Sequence, residues 1–290
     1  MNRRKFFQKG ISKNDFILEI GPYVNPLFPK SENWNVVSND VFTYDELLSK
    51  AKGDENLDEG ALSRIEMVDY VGEPTKIFYE TSELDSKVNF IISSHNLEHM
   101  PNPVKFLKTC EKLLVNGGQI IMALPDYRCC WDRFRPLTCT GDWLQAFLDE
   151  RTKPSAQQIF IQNSMHCRWD DKGILRPTMP MGTNVKELVP LESLERAFEQ
   201  YVVNFEKGED LEYIDTHCWT FIPDSLHLIL LDLAFINEIK LGIEEIVAEN
   251  SSEFFVKLAK KDPDWIDSKE FYEKRQMLMH KVAAFYRDQS

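Results

Sequence analysis

The sequence predicts an α/β protein built on an open, mostly parallel sheet, and three observations predict it. Apolar runs of strand length recur through the first 126 residues, most of them ending at Gly, Asn, Asp or His. Helical patterns follow the second and fourth runs. The last two runs are separated by only a few polar residues, which suits an antiparallel pair at the edge of a parallel sheet. With 290 residues, 43% of them hydrophobic and 12% aromatic, the chain can bury one large domain carrying a sizeable insertion.

The first run is FILEI at 16–20, which stops at Gly21. WNVVS at 34–38 is the second and ends at Asn39-Asp40; a helix is expected over 43–51. RIEMVDYV at 64–71 is a third candidate strand, and VNFIISS at 88–94 is the clearest of all. Val104, Leu107, Leu113 and Leu114 then recur at helical spacing, and Asn116-Gly117-Gly118 reads as the stop of that helix. QIIMAL at 119–124 is the fifth strand. Strand, helix and strand in this rhythm imply right-handed parallel crossovers. The pattern lapses from 125 to about 213. It resumes with a helix at 223–236, opened by Pro223 and Asp224, and with strands at 239–247 and 254–260 joined by a turn at 250–252. A charged helix closes the chain over 263–290. The expected organisation is therefore a core of 1–126 and 214–262, an inserted cap at 127–213, and the C-terminal helix.

The stretch SHNLEHMPNP at 94–103 contains HNLEH, a letter-for-letter match to a zinc-peptidase pattern. That chemistry needs both histidines on one face of a helix. Here His95 follows an apolar strand directly, and Pro101 and Pro103 prevent a helix of the required length. The motif belongs to the loop at the carboxyl end of a central strand, where open parallel sheets bind ligands. Gly21 closes the first strand in the same way and permits a tight turn. The phosphate cradle G-x-G-x-x-G is missing, because Pro22, Tyr23, Val24 and Asn25 follow, so a cofactor without a pyrophosphate fits better than a nicotinamide dinucleotide. Asp40 closes the second strand, about twenty residues on, where an acid can accept from ribose hydroxyls.

The blocks ILEIGP, VVSND and FIISSHNLEHMPNPVKFLKTCEKLLVNGGQIIMALPD together resemble the class I S-adenosylmethionine-dependent methyltransferases. THCWTFIPDSLHLILLDL and EFFVKLAKK are similar to members associated with bacterial O-antigen and surface-polysaccharide biosynthesis. The resemblance covers roughly 16–126 and 215–260. It implies a Rossmann-like seven-stranded sheet of order 3-2-1-4-5-7-6 with strand 7 antiparallel. It implies S-adenosyl-L-methionine as cofactor, with Glu19, Gly21 and Asn25 by the methionine part, Asp40 on the ribose and Asp69 near the adenine amine. Ser94 and His95 would lie beside the sulfonium. The expected reaction is methyl transfer to a hydroxyl of a sugar or glycan precursor. The incomplete glycine motif leaves open a catalytically silent S-adenosylmethionine-binding scaffold; a methyltransferase for a non-sugar small molecule is a further alternative.

A sugar hydroxyl is a weak nucleophile, and a base should take its proton. His95 is the first candidate, with His99 and His217 as alternatives and His166 in the insertion. Metal assistance by His95, Glu98, His99 or Asp126 is an open alternative that nothing in the sequence requires. The insertion carries Trp131 and the cluster Arg128, Arg133 and Arg135 in DYRCCWDRFRP, which suggests an acceptor pocket where an aromatic stacks on sugar and arginines hold an anionic group. Ordinary pairing of those arginines with Asp126 and Asp132 is the competing expectation. A net charge of −13 disfavours nucleic acid as a partner. Six scattered cysteines without a C-x-x-C pair suit free thiols in a reducing cytoplasm, and neither a signal peptide nor a transmembrane segment is read.

Overall fold

The computed structural model describes residues 3–54, 57–58, 60–80, 82–248, 251–261 and 267–287. The first half contains α1 (Arg3–Gln8), β1 (Ile17–Ile20), β2 (Val36–Asp40), α2 (Tyr44–Lys52), α3 (Ala61–Arg64), β3 (Tyr70–Val71), α4 (Pro74–Ile77), β4 (Val88–Ser94), α5 (Pro103–Leu113) and β5 (Leu114–Pro125). The insertion holds α6 (Thr140–Leu148), α7 (Ala156–Met165), β6 (Cys167–Asp171), β7 (Ile174–Arg176), β8 (Leu188–Pro190) and α8 (Leu194–Lys207). The chain returns through α9 (Pro223–Phe235), β9 (Leu241–Ala248) and β10 (Glu253–Lys260), and ends in α10 (Ser268–Arg287).

The large sheet has seven strands in the order β3-β2-β1-β4-β5-β10-β9. Pairings among the first five strands are parallel, and β10 runs antiparallel to both of its neighbours. Period-two alternation feeds two cores. Leu18, Ile20, Ile91, Ile120, Met122, Leu124 and Val256 pack on one face, and Ile17, Ile92, Ile121, Ala123 and Phe255 on the other. Each such large side chain contributes about 1.5–3 kcal/mol of burial, so a one-residue slip, which exchanges the two sets, is strongly opposed. Among the described residues, no helix is long and apolar enough to cross a membrane.

Several expected elements differ from what forms. The third strand is only Tyr70–Val71; before it, the Glu66 carboxylate accepts from the Lys30 and Ser31 amides and the Asp69 carboxylate from the Ser38 amide. The fifth strand begins at Leu114, so Asn116-Gly117-Gly118 lies inside it at a register shift against β4 rather than ending a helix. Gly117 supplies the required positive φ of 74°. The insertion is not irregular throughout: it carries three helices and the small antiparallel sheet β7-β6-β8. Trp143 and Ala146 of α6 join the main core, so the first helix of the expected cap packs as part of the core. Asn250 of the expected turn, residues 262–266 and residues 288–290 lie outside the described residues.

Candidate functional site

Between Gly21 and Asn35 the chain forms turns and one short 3-10 helix, with no α-helix. Gly21 has φ +63°, and a Cβ there would lie 2.5 Å from Asn96 Oδ1. The Asn96 amide donates to the carbonyls of Ile20 (3.0 Å) and Ser94 (3.2 Å), clamping the carboxyl ends of β1 and β4 together. Asn96 was not anticipated from the sequence. Its only signal is its place two residues after a central strand.

The expected cofactor residues all lie at or near this edge of the sheet, but several are engaged with protein. Glu19 is buried and accepts from the Leu27 and Phe28 amides. Burial pushes its pKa up to about 7, against the lowering effect of those two bonds. Asp40 is buried at the end of β2 and accepts from the Phe42 amide; burial raises its pKa as well. Asn25 is exposed on the loop. Asp69 does not stand free for an adenine amine: its Oδ2 accepts from the Ser38 amide at 2.7 Å and pairs with Lys30 Nζ at 2.5 Å. The Ser94 hydroxyl accepts from Arg3, which also pairs with Glu253 at 3.4 Å.

His95 ends β4 in the left-handed region, φ 55°, a strained conformation of the kind found at functional sites. Its Nε2 is 2.9 Å from Glu253 and its Nδ1 3.3 Å from Glu98 Oε1. Burial alone would lower its pKa, but the hydrogen bond to Glu253 and the neighbouring Glu98 carboxylate outweigh burial and push it up to about 9. His95 thus lies between two carboxylates directly after β4, where the sequence placed its first candidate for a base.

Leu97–His99 forms one turn of 3-10 helix, so the peptidase geometry of HNLEH is not made. This turn is instead joined to the distant segment around His217. Glu98 O accepts from the Cys218 amide at 2.6 Å, and Met100 O accepts from the Trp219 indole at 2.6 Å. The stretch after β5 lies on the other side, with Tyr127 N bonded to Phe221 O and Thr138 N to Thr220 O. Three segments far apart in sequence thus converge. His217 Nδ1 contacts Asp132 Oδ2 at 2.6 Å, and Asp132 is held in turn by Arg135 at 2.6 Å. Burial would raise the Asp132 pKa, but His217 and Arg135 hold it below the ordinary carboxylate range. His99 meets His217 edge-to-face, ring centroids 4.6 Å apart, and Asp215 lies 2.9 Å from His99 Nδ1. Burial would lower the His99 pKa; Asp215 and Glu98 raise it. Trp131 packs against both His217 (4.1 Å) and His166 (4.3 Å).

The arginines expected to bind an anionic acceptor have protein partners. Arg128 forks onto Asp126 at 2.8 and 2.6 Å. Arg135 bonds Asp132 and the His217 carbonyl, both at 2.6 Å. Arg133 is buried beside the rings of Tyr127 and Phe285. The buried charge of Arg135 requires such a partner, and Asp132 comes from the same short segment.

No family model and no curated protein matches the chain. Solved structures similar to it include a SAM-dependent methyltransferase from Aquifex aeolicus, with 11% identity, 89% of each chain covered and a TM-score of 0.42. An S-adenosylmethionine-dependent methyltransferase from Mesorhizobium loti is 9% identical over 89% of this chain and 98% of its own, TM-score 0.42. A protein from Rhodobacter sphaeroides, named among zinc-dependent alcohol dehydrogenases, is 12% identical over 89% of each chain, TM-score 0.43. With scores below 0.5, the functional reading rests on the site itself.

Proposed function

We propose that the chain is an S-adenosylmethionine-dependent O-methyltransferase acting on a hydroxyl of a sugar or glycan precursor. The observation that supports it is the meeting at one sheet edge of the Gly21–Asn96 close approach with the buried cluster of Glu98, His99 and His217. In an open parallel sheet, ligands bind outside the carboxyl ends of the strands, and the backbone at Gly21 can come near one there. Asp40 would hold the ribose hydroxyls. When bound, S-adenosylmethionine supplies an activated methyl on a sulfonium; the protein's task is to align an acceptor oxygen with it and let the hydroxyl proton go. Alignment of this kind is worth up to about 7–11 kcal/mol. Glu98, His99, Asp215 and His217 offer hydrogen bonds to hydroxyls, whereas the three arginines are taken, so a neutral sugar fits better than an anionic one.

Ligand-dependent unfolding tests the reading. S-adenosylhomocysteine at a hundredfold excess over its Kd should stabilise the fold by about 2.7 kcal/mol, NAD should not, and Asp40→Ala should lose most of the gain. A protein that S-adenosylhomocysteine does not stabilise is not this enzyme. Turnover of S-adenosylmethionine with neutral sugar acceptors then separates an enzyme from a silent binder.

A further inference from the structure

We propose that Glu98, His99 and His217 form a binding site for a divalent transition-metal ion of the zinc class, which holds the acceptor hydroxyl. One ligand atom from each of the three lies within 4.8 Å of the others. Glu98 is completely buried, yet neither carboxylate oxygen accepts a hydrogen bond. An ionised carboxylate in that position is costly unless a cation answers it, and His95 Nδ1, the nearest one, stands at 3.3 Å from Oε1 alone.

The histidines are arranged as metal ligands usually are. His217 has Asp132 on Nδ1, and His99 has Asp215 beside Nδ1. A carboxylate on one ring nitrogen fixes the tautomer that leaves the other as the donor, and it strengthens that donor. In His99 the remaining nitrogen, Nε2, is 4.0 Å from Glu98 Oε1. His217 therefore has a hydrogen-bonded orienting neighbour in Asp132, and Asp215 stands beside His99 Nδ1 without the geometry of a hydrogen bond. Two imidazoles with one carboxylate suit zinc, cobalt, iron or manganese; magnesium and calcium favour all-oxygen sets. Three protein ligands leave coordination positions for a hydroxyl.

Metal binding stands apart from the methyl-transfer reading; only the ion's use rests on it. In that use the ion lowers the pKa of the acceptor hydroxyl. The proton leaves to solvent, the oxygen forms a bond to the methyl carbon, and the carbon–sulfur pair stays on sulfur as the neutral thioether. No protein base is then needed.

The test is to strip the full-length protein with a chelator and titrate it with cobalt(II), following the visible absorption of the bound ion and the stoichiometry by calorimetry. One equivalent should bind, zinc should displace it, and magnesium should not. Glu98→Gln and His99→Ala should each weaken binding on the order of 100-fold, and Asp132→Asn about 10–100-fold, with thermal unfolding confirming that each variant is folded. Failure of the stripped parent to take up one equivalent overturns the site, as does binding unchanged in the folded variants. S-adenosylhomocysteine binding, measured on the same samples, keeps the two proposals separate: cobalt without S-adenosylhomocysteine leaves the metal site standing and removes the methyltransferase, and the reverse removes the metal site.

Discussion

Replacing Gly21 by alanine probes the junction of β1 and β4 directly. The new Cβ would sit 2.5 Å from Asn96 Oδ1, well inside contact distance, at a backbone φ of +63°. An L-residue in that conformation costs about 1–2 kcal/mol. The clash moves the Asn96 amide, whose bonds to the Ile20 and Ser94 carbonyls are 3.0 and 3.2 Å, and each such bond is worth about 0.5–1.5 kcal/mol net. Together the loss should be about 2–5 kcal/mol. At about 2.1 cal/mol/K per residue, the unfolding entropy of 290 residues is roughly 0.6 kcal/mol/K, so Tm should fall by about 3–8 °C. Thermal unfolding of Gly21→Ala, Asn96→Ala and the double variant is the assay. The double variant should be destabilised by less than the sum of the singles, because removing the Asn96 amide relieves the clash. S-adenosylhomocysteine affinity of Gly21→Ala should drop at least about tenfold, roughly 1.4 kcal/mol. A Gly21→Ala protein with unchanged Tm and unchanged affinity would refute the close approach and its place in the cofactor site.

Arg135→Ala should cost about 3–5 kcal/mol in denaturant unfolding, because it leaves Asp132 buried with one cationic partner fewer; a loss under about 1 kcal/mol would mean the pair is not buried as described. Arg128→Ala should leave the acceptor KM unchanged, and a several-fold rise would return that arginine to substrate binding. Glu19 supplies a pH signature. Its pKa is 4.5 in the unfolded chain and about 7 when folded, raised chiefly by burial, so the folded state holds the extra proton between those values. Stability from this group is complete below pH 4.5 and is lost as pH rises toward 7, by at most about 3 kcal/mol. Glu19→Gln should flatten that decline in denaturant unfolding between pH 5 and 8; an identical slope in both proteins would show that Glu19 is not protonated in the fold.

The sequence by itself determined the strand succession, because strands buried on both faces write themselves as apolar runs, and VNFIISS and QIIMAL need no distant information to be recognised. It also placed Gly21, Asp40 and His95 at the carboxyl ends of strands, where the structure has them. It overextended the third strand, of which only Tyr70–Val71 pairs with β2 as a strand, while Glu66 and Asp69 hold backbone amides of other segments with their carboxylates. What only the tertiary structure decided is the grouping of side chains at the site. HNLEH supplies Glu98 and His99, but its spacing suggests a pairing of His95 with His99 that the 3-10 turn does not make. The third member is His217, brought in by the backbone bonds of Cys218 to Glu98 and by the Trp219 indole on Met100. The arginines show the same limit: their charge was plain in the sequence, but whether a guanidinium meets a substrate or a neighbouring aspartate depends on which buried carboxylate lies within about 3 Å, and chain folding alone sets that distance.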